Sequence, residues 1–284
     1  MPRAREKPLI LWCDGAHDPG ENMRRDAALV AAVGTGATAG EPVLRLFRFA
    51  PHGITLGHAQ RPARELNLER CRRDGVPWAV RPTGGRAIFH AEEWTCALAA
   101  PLDHAAWGGS LAEAYDRASC LLVASLLRLG VPVGLARAGG ARGSLAPRMR
   151  AGAAAPCFAS TARHEIVLAG RKLVGSAQCR TGRALLQQGS VLLGEGHLRI
   201  ADYLALADGA RAGVREELRL ASAHAGAWLG AATPLERWAD ALAAELPPGT
   251  RRLAGPAGLV LLGHAVGASD SAAVADTPRP RREG

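Results

Sequence analysis

Residues 156–193, PCFASTARHEIVLAGRKLVGSAQCRTGRALLQQGSVLL, set how the rest of the chain is read. The arms HEIVL and RKLVGSAQ flank Ala169-Gly170, the pattern of a β-hairpin, and ALLQQGSVLLG follows as a further strand. Within the hairpin stands Lys172, and the only other lysine among the 35 basic residues is Lys7. Arginine fills basic positions elsewhere, as in RCRRDG, RMR and PRPRRE. Arginine keeps its proton near neutral pH, whereas a desolvated lysine can release one, so a lysine kept here suggests a need for an ionisable amine. Cys157, fifteen residues upstream, is a candidate nucleophile. Composition leaves the plainer alternative open, with Lys172 an ordinary hairpin residue and Cys157 a small buried apolar one.

Working outward, 284 residues can bury a sizeable core as one large or two smaller domains. Hydrophobic residues at 48% and charged residues at 21% are ordinary for a globular chain. The net charge of +9 favours acidic partners. Its arginines are scattered and not interleaved with aromatics, so no stacking platform for nucleic acid is indicated, and an acidic protein or anionic substrate fits the charge. Six cysteines without a CxxC pair argue against a zinc site or a disulfide framework and for a reduced, cytoplasmic setting. The N-terminal apolar run is too short for a secretory signal, and CLLVASLL is far short of a membrane span. No nucleic-acid partner, membrane partner or metal is expected.

PLILWC (8–13) reads as a buried strand, and Asp18 with Pro19 opens a helix on which Met23, Ala27 and Val30 share a face. VLRLFRFA (43–50) is a strand, and residues 51–75 carry a short strand and then a helix. VPWAVR (76–81) and AIFH (87–90) are strand-like and flank Gly84-Gly85. Ser110 and Glu113 form a capping box for a helix to Leu129, with Leu111, Tyr115, Ala118, Leu122 and Leu129 predicted on its apolar face. ARAGGARGSLAPRMRAGAAAP (136–156) lacks periodicity and reads as a long mobile loop. After about residue 200 the pattern turns helical, with Thr233-Pro-Leu-Glu236 as a second capping box and Leu235, Trp238, Leu242 and Leu246 on the apolar face. The tail from about Asp270 is expected to be disordered. Hairpins mixed with helices and no regular βα alternation give an α+β fold with largely antiparallel, mixed sheets.

The motif RPTGGR (81–86) lies between two strand-like runs, where Gly84-Gly85 allows positive φ and close backbone approach to a ligand, or simply makes a tight hairpin turn. It is neither a GxGxxG nor a Walker motif. His90 is a candidate site residue or a satisfied core histidine. Gly175-Ser176-Ala177 suits a strand that passes close to a ligand chain or a crowded sheet position, and Gln187, Gln188, Gly189 and Ser190 can add polar contacts beside it.

Together four segments resemble the lipoate–protein ligase/octanoyltransferase family: GENMRRDAAL; LGHAQ with ELNLERC; RPTGGRAIFH with Thr95; and CF, HEIVLAGRKLVGSAQ and RALLQQGSVLL. The likeness covers about residues 9–246. The only asparagines, Asn22 and Asn67, both fall inside matched segments. The resemblance implies a biotin/lipoate protein ligase-like fold, with a flexible N-terminus (1–8), an acyltransferase catalytic domain (9–250) and a C-terminal segment (251–284).

Within the family, ATP-dependent ligases typically carry a third glycine where this chain has Arg86, and an Asn-Asp pair where it has Cys157-Phe158. The chain is more similar to the cysteine-dependent octanoyl-carrier-protein transferases. That resemblance implies that Cys157 carries the acyl group as a thioester and that Lys172 lowers its pKa and relays the proton. It further implies that Arg81, Thr83, Gly84, Gly85, Arg86, His90, Gly175, Ser176, Ala177, Gly189 and Ser190 line the substrate site. No cofactor is needed, because an acyl thioester is already activated. The donor would be an acyl carrier protein and the acceptor a lysine of a lipoyl-domain protein, such as the glycine-cleavage H protein or a dehydrogenase E2 subunit. The alternatives are an amidotransferase working between lipoyl domains, an ATP-dependent ligase, and a non-catalytic acyl- or carrier-binding protein. Two departures stand out. Ala91 replaces the aspartate common after the histidine, and Trp94-Thr95-Cys96 varies the usual Leu-Thr-Tyr.

Overall fold

The computed structural model describes residues 9–136 and 165–267. Cys157, most of the glycine-rich loop, residues 1–8 and the tail past Asp270 lie outside the described residues.

The chain opens with β1 (Ile10–His17), α1 (Pro19–Thr35), β2 (Val43–Phe49) and β3 (Gly53–Leu56). Two short helices, α2 (Pro62–Glu65) and α3 (Leu68–Arg73), lead to β4 (Trp78–Val80), β5 (Ile88–His90) and β6 (Glu93–Pro101). Next come α4 (Leu111–Arg128), β7 (Val133–Leu135), β8 (Ile166–Leu168), β9 (Arg171–Lys172), β10 (Val174–Thr181) and β11 (Ala184–Leu192). The last part holds α5 (Ile200–Tyr203), α6 (Arg211–Ala221), α7 (Gly226–Leu229), α8 (Leu235–Ala243) and β12 (Arg251–Ala254).

Six strands form one mixed sheet in the order β10-β11-β6-β2-β1-β12. Its β10, β11, β6 and β2 pair antiparallel, while β1 runs parallel to both neighbours. Alternation along the strands separates two cores. Ala97 and Ala99 of β6 face Leu29, Val30 and Val33 of α1. Trp94, Cys96 and Leu98 face Ala118, Leu122 and Leu126 of α4 and Trp238 of α8. Trp94 and Trp238 stack with centroids 5.4 Å apart, and each finds a partner for its indole N–H, the Thr233 carbonyl and the Ser125 hydroxyl. The α+β class with mixed, largely antiparallel sheets is therefore as the pattern implied.

Particular elements differ from expectation. Strand β3 lies between β4 and β5, so RPTGGR is a crossover past the end of β3, and the hairpin alternative falls away. The arm RKLVGSAQ is not one strand. It breaks at Leu173, with β9 in a small sheet β7-β8-β9 and β10 in the main sheet. Helix α4 has the Ser110/Glu113 capping box, but its buried face runs through Ala114, Ala118, Leu121, Leu122, Ser125 and Leu126. Leu111 is exposed. The second capping box does not form. The Thr233 hydroxyl donates to the Leu229 carbonyl, which leaves Pro234 as the N-cap without a side-chain bond. Leu235, Trp238, Leu242 and Leu246 are nevertheless all buried as expected. The helical run is interrupted, since β12 adds a parallel edge strand beside β1 before a 3-10 helix over Gly255–Gly267.

Candidate active site

The apolar strand VLRLFRF contains an arginine, Arg45, whose side chain is wholly buried. Such a charge persists inside only if its donors are met. Its Nε donates to Asp14 at 2.8 Å, one terminal nitrogen to Asp26 at 2.6 Å, and the other to the Asn22 side chain at 2.7 Å. The guanidinium also lies over the Phe47 ring at 4.0 Å. Asp26 then accepts from Gln188 Nε2 at 2.6 Å, and Gln188 Oε1 accepts from the Thr83 hydroxyl at 2.5 Å. A continuous polar chain thus runs from β1 through α1 and β11 to the RPTGGR turn. Burial pushes the Asp26 carboxyl above the ordinary range, opposed by Arg45 and by the Gln188 bond.

The turn is also held from within. Arg81 is buried and donates to the carbonyls of Gly84 and Arg86, at 2.7 and 2.9 Å from one nitrogen, and to Thr55. Gly85 has φ +94°, and a Cβ there would meet the Arg81 guanidinium at 2.7 Å. A side chain on Gly57 would overlap the Gly85 carbonyl. Gly85 is therefore required by its positive φ and Gly57 by close backbone approach, while Gly84 has room for a Cβ. Arg81 acts as the clamp of the turn, while the side chain of Arg86 is exposed.

His90 is buried beneath Phe49, with ring centroids 3.8 Å apart. One ring nitrogen meets Thr55 Oγ at 2.7 Å and the other Glu93 Oε1 at 2.6 Å. The same carboxylate oxygen accepts from Thr95 at 2.7 Å and Ser190 at 3.1 Å. His90 is thus a satisfied core histidine that fixes Glu93, and Ser190 joins it there. Ala91 is buried against Gly196, on which a Cβ would lie 2.7 Å from that of Ala91.

The hairpin that carries Lys172 has its turn at Ala169 and Gly170, both with positive φ, 50° and 76°. Register pairs Val167 with Lys172, so Glu165 and Lys172 sit diagonally on one face. Both side chains are buried, and Nζ is 2.5 Å from Glu165 Oε1. The Lys172 carbonyl accepts from the Ala223 amide at 2.9 Å, which docks the hairpin on the end of α6. Nearby, His197 meets Ser222 Oγ at 2.8 Å, and burial pulls its pKa down to about 4.

Beyond Leu173 the strand enters β10, where the small residues divide between two faces. Gly175 and Ala177 pair with Ser190 and Gln188, on the α1 side. Ser176 pairs with Gly189 on the opposite side, over a narrow apolar pocket lined by Cys96, Leu98, Ala118, Leu121, Leu122, Gln187, Leu44 and Gly189. The Gly189 position leaves a missing Cβ 3.4 Å from Cys96 Sγ and 3.7 Å from Leu122. The residues grouped in sequence as one lining thus border both faces of the sheet.

Burial raises the thiols of Cys13 and Cys71 to about 11 and of Cys96 to about 12, and raises that of Cys179 as well. These four are neutral thiols at pH 7 and poor nucleophiles. Sequence reasoning missed Glu165, Glu93, Asp26 and Arg45 as site builders. The available signal was charge inside an otherwise apolar run, as in VLRLFRF with Arg45 and Arg48.

The lipoyl protein ligase A/B catalytic domain model matches residues 18–218. The chain belongs to that family. Octanoyltransferase LipM of Moorella thermoacetica is 37% identical over 179 residues, 63% of this chain and 63% of that protein. Octanoyltransferase LipM of Staphylococcus aureus is 31% identical over 182 residues, again 63% of each. The matched stretch therefore spans just under two thirds of these relatives. Among solved structures, lipoate-protein ligase A bound with ATP superposes with TM-score 0.61 at 15% identity, covering 90% of this chain and 93% of that one. The bi-partite lipoate protein ligase of Thermoplasma acidophilum gives 0.63 at 16%, covering 90% of each. At such identities these two likenesses establish the fold alone. Among the described residues, no helix is long and apolar enough to cross a membrane.

Proposed function

We propose that the chain is a cysteine-dependent acyltransferase that moves an octanoyl group from an acyl-carrier-protein thioester, through Cys157, to a lysine of a lipoyl-domain protein. The observation that carries this reading is the buried Lys172 of β9, paired with Glu165 just before the break at Leu173 that leads into Gly175–Ala177 of β10. The names of the curated relatives support the octanoyl group, and the raised thiols of Cys13, Cys71, Cys96 and Cys179 make those four poor nucleophiles.

The chemistry needs no separate activation. Exchange of one thioester for another is near thermoneutral, and amide formation from a thioester is downhill. Attack requires a thiolate, which the Lys172 ammonium stabilises. The acceptor amine then attacks the Cys157 thioester and loses a proton, for which neutral Lys172 is the acceptor. Thr83 and the Gly84-Gly85 backbone, held by Gln188 and Arg81, form the fixed wall of the acyl site beside Gly175, Ala177 and Ser190. A net charge of +9 suits acidic carrier and acceptor proteins.

The test is incubation with octanoyl-carrier protein without ATP, followed by intact mass with and without hydroxylamine. A hydroxylamine-labile octanoyl adduct, absent in Cys157→Ala, is expected. Modification of a lipoyl domain only when ATP and free octanoate are supplied, with no adduct, would overturn the reading in favour of a ligase. An adduct formed from an octanoylated lipoyl domain but not from carrier protein would reassign the donor.

A further inference from the structure

The ion pair at the head of the hairpin has a partner that the transferase reading leaves unused. We propose that Glu165 is a positioning residue for the Lys172 proton relay, and that it makes the acyl-delivery half-reaction more dependent on its charge than the acyl-loading one. The proposal rests on the transferase reading above. Cross-strand diagonal placement brings Oε1 to 2.5 Å from Nζ, and both side chains are buried, so the carboxylate fixes the direction of the amine with little screening by water.

The asymmetry follows from the proton balance. In loading, the Cys157 thiolate forms a C–S bond to the acyl carbon and the carrier's C–S bond breaks. The departing thiolate takes a proton from the Lys172 ammonium, which leaves Nζ neutral. In delivery, the acceptor amine forms the C–N bond and the C–S bond to Cys157 breaks. The proton shed by nitrogen passes to Nζ, which restores ammonium and thiolate together. A carboxylate against Nζ attracts the ammonium, so it opposes proton release in loading and assists proton capture in delivery. It also holds one N–H of the neutral amine and so keeps the lone pair aimed elsewhere.

The experiment measures the two half-reactions separately in the full chain: the rate of Cys157 octanoylation from octanoyl-carrier protein, and the rate of transfer from isolated octanoyl-enzyme to a lipoyl domain. Glu165→Gln is expected to slow delivery by about tenfold or more while loading changes by less than about threefold. In a Lys172→Ala background the same change is expected to add less than about twofold, because a residue acting through Lys172 has nothing left to act on. Glu165→Asp keeps the charge and should restore part of the delivery rate, and it carries the test if Glu165→Gln does not fold. Equal slowing of both half-reactions, or a full effect of Glu165→Gln in the Lys172→Ala background, would reduce Glu165 to a structural role. If the wild-type protein forms no octanoyl adduct, the transferase reading fails and this proposal with it. If the adduct forms but delivery ignores Glu165, only this proposal fails.

Discussion

Two buried basic side chains, Arg45 in the main sheet and Lys172 in the small one, handle the same electrostatic problem in opposite ways. Arg45 distributes its donors over Asp14, Asp26 and Asn22 and lies over Phe47, so its charge is matched on every side. Such a group locks the parts it touches. Here those are β1, α1 and, through Gln188, the Thr83 turn. Lys172 pairs with the carboxylate of Glu165 on a hairpin, through a single ammonium in place of a fork of donors. Under the proposed function, arginine stands where the charge stays and lysine where a proton moves, which would give the scarcity of lysine in this chain a physical meaning.

Exchanging the two residue types should break the contrast most strongly. Arg45→Lys replaces a planar fork by a single point, which cannot reach Asp14, Asp26 and Asn22 at once. Urea unfolding is expected to show a loss of about 3 kcal/mol. Lys172→Arg keeps the ion pair's charge, so stability should fall by about 1–2 kcal/mol at most from the extra volume. Acyl delivery, by contrast, should drop by about a hundredfold or more, because arginine cannot act as the relay. Wild-type rate and pH profile in Lys172→Arg would remove the distinction between the two sites and end the relay assignment.

A third buried base sharpens the comparison by surrendering its charge altogether. His197 has its pKa lowered from 6.5 to about 4 by burial. The unfolded chain therefore binds a proton between pH 6.5 and 4 that the folded chain refuses, and stability rises with pH across that window. From pH 7 down to pH 5 this group alone should cost about 2 kcal/mol. His197→Asn should flatten that part of the stability curve, as measured by urea titrations at the two pH values. An unchanged slope would mean that His197 is charged in the folded state.

How far the sequence could be read follows the same division between local and distant causes. The Asp18 cap, the Ser110/Glu113 box and the Ala169-Gly170 turn are set by neighbours within four residues, and each is found where the pattern put it. What could not be read depends on crossings. Nothing local says that β3 inserts between β4 and β5, or that the chain changes sheets at Leu173. Thr233 has the residue types of a cap, but its carbonyl is claimed by Trp94 and Arg48 and its hydroxyl by Leu229. Lys172 was legible because lysine is rare in the chain. Glu165 was not, because a glutamate among the chain's acidic residues attracts no notice until the hairpin register places it.

The smallest test targets the link between the Arg45 cluster and the RPTGGR turn. Gln188→Leu keeps the shape of the side chain but leaves Asp26 Oδ2 and the Thr83 hydroxyl without their partner, at an expected cost of about 1–2 kcal/mol. The pH dependence identifies the cause. Burial already holds the Asp26 carboxyl above its ordinary pKa, and the Gln188 bond is one of the contacts pulling it down. Removing that bond raises the folded pKa further. A raised folded pKa contributes stability that is present below the unfolded pKa and is lost as pH rises toward the folded one. The deficit of Gln188→Leu relative to wild type should therefore be smallest near pH 4, where only the lost Thr83 bond contributes, and grow as pH increases. Thr83→Val cuts the chain one bond later and spares Asp26, so its deficit should be flat with pH, while both variants should raise KM for the acyl donor more than they lower kcat. If the two variants showed the same pH-independent loss, the Arg45 cluster and the turn would be separate structures that happen to touch.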